Sequence, residues 1–306
     1  MARPTLTLTS VRSAGTEVVD GGTARRWVGY NGAVTLQILL TNDDGIHAPG
    51  LAVLRGAVDG LGEITTIAPD HNASAVARGI TIDRPLGLAM TTFGDGWPGL
   101  ACDGTPSDCV RIGLLGVRGP APDLVVAGVN CGANMGADVT YSGTVGAAFE
   151  AALRGRPALA FSVDSRAPRW LDEMAPVLRA MVESVITRGL PRHSILNVNF
   201  PDRPLAEVAG IRPARLGGAS CADRVFLSAD GGAPAGAGEF AADPFFGAAG
   251  YLVPCDHPTL GEWADTDFDV VGRGCVAVTP LRYDLLDAEL LADLATWDLD
   301  LGRLRV

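Results

Sequence analysis

The sequence predicts a three-layer, Rossmann-like α/β fold, with a parallel sheet between helices on both faces and a C-terminal part that protrudes from it. Three observations carry this expectation. From residue 36 to about 200, short β-branched runs alternate with stretches of helical period, the order of parallel βαβ units. At 306 residues and 47% hydrophobic content, the chain is long and apolar enough to bury a large core. Residues 217 to 250 break the pattern, being rich in Gly and Ala with few periodic apolar positions, and read as an extended arm outside that core.

The elements follow in order. Strands are expected at "LQILLT" (36–41), "EITTIAP" (63–69), "DLVVAGVN" (123–130), "PALAFSV" (157–163) and "SILNVNF" (194–200). Helices are expected between them. Residues 50–61 place Leu51, Leu54, Val58 and Leu61 on one face, and residues 106–117 and 143–154 carry further helical patterns. A longer helix, 169–188, repeats Leu171, Met174, Leu178, Met181 and Val185, with a kink expected at Pro176. After the arm, "GCVAVTPL" (274–281) returns to strand and "LLDAELLADLATW" (285–297) to helix. The chain thus divides into an N-terminal extension of unassigned role (1–35), an α/β core (36–216) and a C-terminal part holding the arm, the returning strand and the helix (217–306).

Charge and cysteines narrow the function. A net charge of -11 opposes the phosphate backbone of DNA or RNA, so no long nucleic-acid partner is expected. The six cysteines form no Cys-x-x-Cys pair and read as reduced core thiols of a cytoplasmic protein. Neither a signal peptide nor a membrane-spanning run of apolar residues is visible.

The chemistry concentrates at strand ends, where open α/β sheets bind ligands. The first strand ends on adjacent acids, Asp43 and Asp44. A lone Asp there would read as a helix cap, but two like charges side by side need a cation to stay ionised together. The second strand leads to Asp70, Asn72 and Ser74, and the third to Asn130 and Asn134 in a glycine-rich loop. Oxygen donors from three strand ends suit a hard divalent ion such as Mg²⁺ or Mn²⁺. Zinc is disfavoured, because the four histidines have no paired spacing and read as surface or packing residues, with His47, just after the acids, the exception to watch. Ser142, Gly143 and Thr144 open a helix, and hydroxyls with free N–H groups there make an anion site. The same residues also suit ordinary helix capping. No Gly-Lys-Ser or Gly-Lys-Thr and no G-x-G-x-x-G after the first strand supports a P-loop or a dinucleotide site.

Together, "ILLTNDDGIHAPG", "APDHNAS", "DGTPSDCV", "PDLVVAGVNCGANMGADVTYSGTVGAAFEA" and "TDFDVV" resemble, in order over residues 36 to 285, the SurE (survival protein) family of metal-dependent 5′/3′-nucleotidases. The resemblance implies a divalent ion on Asp43, Asp44, Ser74 and Asn130. It implies a phosphate lined by Asn134, Ser142, Gly143 and Thr144, with Asp43, Asp44 and Asn134 as the catalytic group. It further implies a phosphomonoesterase acting on nucleoside 5′- and 3′-monophosphates, and a homodimer or homotetramer assembled through a C-terminal β-hairpin arm. Three departures stand out: Ala75, Ala77, Arg78 and Gly79 after Ser74, the extra residues 1–35, and the composition of the arm. The first motivates a competing expectation, a nucleotide- or phosphate-binding protein impaired in catalysis. A metal-dependent glycosyltransferase fits the acid pair and explains the Ser-Gly-Thr helix start less directly.

Overall fold

A computed structural model describes residues 35–117, 119–218, 264–294 and 296–297, together with the backbone of four short segments between 222 and 256. β1 (Gln37–Thr41) leads through α1 (Pro49–Ala57) to β2 (Glu63–Pro69). An antiparallel pair, β3 (Leu88–Phe93) and β4 (Trp97–Cys102), precedes α2 (Pro106–Leu114). β5 (Leu124–Cys131), α3 (Gly143–Leu153), β6 (Ala158–Val163), α4 (Ala175–Arg188) and β7 (Ser194–Phe200) continue the alternation. β8 (Ile211–Pro213) is followed by β9 (Ala222–Asp223), β10 (Phe226–Ser228), β11 (Gly250–Leu252) and β12 (Cys255–Asp256). α5 (Asp267–Gly272), β13 (Val276–Arg282) and α6 (Ala288–Leu294) close the described chain.

Nine strands form one sheet in the order β3-β4-β2-β1-β5-β6-β7-β13-β8. The six from β4 to β7 run parallel, as the βαβ order predicts. The edges differ from that expectation: β3 runs antiparallel to β4, and β13 antiparallel to β7. The three-residue turn Gly94–Asp95–Gly96, with both glycines at positive φ, is too short for the crossover that a parallel pair needs, so β3 and β4 form a hairpin. α1 and α4 bury Leu51, Leu54, Leu178 and Val182 on one face of the sheet. α2 and α3 bury Val110, Val145, Ala148 and Ala152 on the other.

Local signals set the helix limits. Thr105 and Asp108 close a capping box on α2, and Ser142 caps α3 by accepting from the Val145 N–H. Pro176 does not kink a continuous helix. A 3₁₀ turn, Leu171–Met174, precedes α4, and Pro176 occupies its first turn, where no N–H is needed and the fixed φ already suits a helix. None of the described helices is long and apolar enough to cross a membrane. In the region of the expected arm, β10 pairs antiparallel with β11, and β12 with β9. The rest of the arm and residues 1–34 lie outside the described residues.

One packing constraint anchors β1 and α1 to β5. A Cβ on Gly50, at the start of α1, would sit 1.9 Å from the Val129 carbonyl oxygen, whereas one on Gly56 would meet only the Trp97 ring at 3.5 Å. Gly50→Ala is therefore expected to lower stability by about 2–3 kcal/mol. Gly56→Ala, in the exposed helix, should raise it by about 0.5–1 kcal/mol. Urea unfolding of the two variants checks the opposite signs.

Candidate active site

After β1 the chain builds β2 and β4 to one side, then crosses back to place β5 on the other. The strand order therefore reverses between β1 and β5, and the crevice beyond their carboxyl ends is where a doubly wound sheet binds its ligand. Asp43 and Asp44 follow β1, and Asn130 lies near the end of β5. The glycine-rich loop and α3 then run over the same end.

Asp43 is buried, at 2% exposure. Its Oδ2 accepts from the Thr144 N–H at 3.0 Å, and its Oδ1 accepts from the Thr144 hydroxyl. A Cβ on Gly143 would lie 2.8 Å from Asp43 Cβ, so only glycine lets α3 start against this carboxylate. Asp44 is half-buried, and its Oδ2 accepts from the Cys131 N–H at 3.0 Å. Burial is the main cause that raises the Asp43 carboxyl from 3.8 to about 6; the Thr144 hydroxyl opposes the shift and the Asp44 charge adds to it. Burial and the same two acids push the Cys131 thiol up to about 11, so beside these acids alone it stays protonated.

The remaining candidates arrive from three loops. The Ala73 N–H donates to the Asp43 carbonyl at 2.7 Å, which sets Ser74 beside the acids, and Ser74 itself is exposed. Asn72, a candidate ligand by sequence, accepts from the Ser74 N–H and so shapes the turn. Asp70 lies 2.5 Å from His71 Nδ1 on the surface, and His47 is exposed. Asn130 Nδ2 donates to the Gly132 carbonyl at 2.7 Å, leaving its amide oxygen as the atom for a ligand. Asn134 is buried in the glycine-rich loop, and Ser142 caps α3. Asp43, Asp44, Asn130, Gly143 and Thr144 thus meet at one strand end. Thr144 spends both its donors on Asp43, a use that its place in a helix start did not reveal.

Known proteins resemble this chain over most of its length. The family model described as "Survival protein SurE" matches residues 38–223. The 5′-nucleotidase SurE of Desulfatibacillum aliphaticivorans is 40% identical over 265 residues, 87% of this chain and 99% of that protein. This chain belongs to the SurE family. The 5′-nucleotidase SurE of Methylococcus capsulatus is likewise 40% identical, over 86% of this chain and 97% of that one. The crystal structure of the SurE protein from Aquifex aeolicus superposes with a TM-score of 0.69 at 35% identity, covering 84% of this chain and 98% of its own.

For a SurE chain the donor set is chemically consistent with a hard divalent ion. Two carboxylates, an amide oxygen and a hydroxyl are all hard oxygen donors. Among the described residues, no group of three or more His, Cys, Asp or Glu gathers, so the set rests on two carboxylates with neutral oxygen donors. Sequence reading missed the residues that hold this SurE site in place. Asp267 is fully buried and accepts from the Gly136, Gly217 and Phe268 N–H groups, tying the glycine-rich loop to α5. Burial keeps its carboxyl above the ordinary range despite those donors. Arg78 donates to buried Glu150 at 3.2 Å and to the Tyr283 hydroxyl at 3.0 Å, fastening the Ser74 loop to α3.

The Asp43 shift has a sign that can be measured. Its folded value, about 6, lies above the unfolded 3.8, so folding is not penalised below pH 3.8. The penalty accumulates as pH rises between the two values and is complete above about 6, at about 3 kcal/mol. Without divalent ions, stability is expected to fall over that window, and Asp43→Asn should flatten the profile. Urea midpoints in EDTA from about pH 4 to pH 7 test this; parallel profiles for the two proteins would refute it.

Proposed function

We propose that this chain is a phosphomonoesterase that hydrolyses nucleoside 5′-monophosphates, and 3′-monophosphates as a second activity, to nucleoside and phosphate. In this reading it uses one divalent ion, Mg²⁺ or Mn²⁺, per subunit. The observation that carries it is the pair Asp43 and Asp44 at the switch point of the sheet, set against the first turn of α3 with Asn130 and Asn134 beside it. Membership of a family whose relatives are called 5′-nucleotidase SurE supports the substrate class.

Asp43, Asp44, Asn130 and Ser74 would hold the ion, which supplies Lewis-acid polarisation of the phosphoryl group when bound. The chain's own groups do the rest. The N-terminus of α3, with Ser142 and Gly143, and the Asn134 amide meet the equatorial phosphoryl oxygens, where charge accumulates in the transition state. Asp43, held by both donors of Thr144, orients the attacking water and takes its proton. The new bond joins that water oxygen to phosphorus. The ester P–O bond breaks, and the nucleoside oxygen leaves with its electron pair and takes a proton from solvent, to which Asp43 returns the one it accepted.

Buried, unpaired thiols at Cys102, Cys109 and Cys275 support a reducing, cytoplasmic setting. Exposed Leu285, Leu286, Leu290, Leu291 and Trp297 on and around α6 support assembly into a homodimer or homotetramer. Light scattering should then give a mass at or above twice 31.6 kDa. A monomer mass would refute that assembly.

The activity is tested by phosphate release from a panel of nucleoside 5′- and 3′-monophosphates with Mg²⁺, with Mn²⁺ and with EDTA. Release is expected with either ion and should vanish in EDTA. Asp44→Asn should lower it by about 10²–10³-fold. Full activity in EDTA or in Asp44→Asn would overturn the metal mechanism. Tight nucleotide binding with no release would instead favour an impaired binding protein.

A further inference from the structure

The strand "SILNVNF" places two asparagines, Asn197 and Asn199, in the interior of the sheet, both at 0% exposure. In a buried strand, alternate positions share a face, so the two amides point to the same side. Both are directed at one residue. Asn199 Oδ1 accepts from the Asn134 N–H at 2.8 Å, and Asn199 Nδ2 donates to the Asn134 carbonyl at 3.0 Å. Asn197 Nδ2 donates to the same carbonyl at 2.8 Å. On the neighbouring strand, Ser162, also at 0% exposure, accepts from Asn134 Nδ2 at 2.7 Å. Three buried side chains on β6 and β7 therefore fix both the main chain and the amide of a single loop residue.

This cradle carries a cost. Asn197 Oδ1 finds no hydrogen-bond partner among the described residues, and Thr279, its register partner on β13, has a hydroxyl in the same condition. Each such buried, unmade bond is destabilising, because the group gave up water without a replacement. An apolar pair at these positions would pack the sheet without that cost. The return is orientation: with its main chain bonded at both N–H and carbonyl, the loop cannot turn Asn134 away. With one amide N–H on Ser162, the other N–H and Oδ1 are held in fixed directions.

We propose that Ser162, Asn197 and Asn199 are positioning residues that hold the Asn134 amide in the orientation that meets the phosphate. The inference rests on the reading of Asn134 as a phosphate ligand given above. Asn134 is only 7% exposed, so a hydrogen bond from its amide to a charged oxygen is made in a setting that water screens little. An amide free to rotate would present its oxygen to the phosphate as readily as its N–H, and the oxygen repels.

The test is a double-mutant cycle on Ser162→Ala and Asn134→Ala. It is read by kcat/KM for a nucleoside 5′-monophosphate and by the calorimetric Kd of inorganic phosphate, both with Mg²⁺ present, and thermal melts confirm that each variant folds. Because Kd is a property of the folded molecules, partial unfolding does not imitate the effect. Ser162→Ala is expected to lower kcat/KM and raise the phosphate Kd by about tenfold. In the Asn134→Ala background it should change neither, because the amide it holds is gone. Asn199→Ala should exceed Ser162→Ala in effect, and if it fails to fold the serine cycle still decides. An unaltered Ser162→Ala variant, or equal effects in both backgrounds, overturns the proposal. Wild-type behaviour of Asn134→Ala instead sinks the phosphate-ligand reading, and the cradle's role with it. A wild-type chain that binds phosphate but releases none refutes the activity while leaving the calorimetric cycle to decide the cradle.

Discussion

Two adjacent carboxylates at the end of a buried strand set the terms for everything around them. Asp43 is almost wholly removed from water, and Asp44 stands next to it, so the pair is costly to ionise without compensating donors. α3 is the response that the fold supplies. It delivers an N–H and a hydroxyl from Thr144 to Asp43, and the positive end of its dipole points at the acids. That delivery demands contact between backbones. Gly143 leaves room for Asp43, and a Cβ on Gly146 would lie 2.5 Å from the Ala77 carbonyl oxygen, so the Ser74 loop also packs directly on the helix. The poor helix propensity of Gly-Thr-Val-Gly is the cost of bringing three strand ends to one point.

The same demand explains why the support is polar where the rest of the sheet is apolar. β5 and β6 are lined by Val125, Val126, Leu159 and Phe161, all fully buried. Toward their carboxyl ends the composition changes to Asn130 and Ser162, which are register partners, and to Asn199, the partner of Ser162 on β7. A row of polar side chains thus crosses three strands at the level of the site. Below it, buried Asn197 and its β13 partner Thr279 apart, β5 to β7 are packed by apolar side chains; at it, each amide is committed to a loop that carries a functional group.

Much of this was legible in the sequence, and the limits have physical causes. The strands from β1 to β7 that lie in the middle of the sheet were readable because fully buried parallel strands are continuous apolar runs between turn signals. The β3–β4 hairpin was not read, although "LAMTTFGDGWPGLAC" carries its turn, because edge strands mix exposed and buried positions and Pro98 weakens the pattern. The acids stood out because polar groups at the end of an apolar strand are unusual. Asn197 and Asn199 lie within a run of strand character, yet two amides two residues apart in a buried strand are the signal of a bonded polar row. The partnership of Thr144 with Asp43 spans 101 residues, and no local pattern encodes it.

A chain of charge -11 that handles a phosphate must create a positive potential locally. The arginine nearest in sequence to the Ser74 loop does not supply it. Arg78 lies 4.7 Å from the Tyr283 ring centroid, bonds the Tyr283 hydroxyl and pairs with buried Glu150, so its charge is committed to holding the loop against α3. Arg154 lies 3.4 Å from the same Glu150. What then remains at the strand ends is a helix N-terminus, amide N–H groups and, in the proposed mechanism, the cation between the acids. The acids therefore have a second role in that mechanism. By requiring a divalent ion before the site loses its negative character, they make phosphate binding conditional on metal binding. Removing one acid would weaken the repulsion and the metal together, so its effect on phosphate affinity would be smaller than its effect on turnover.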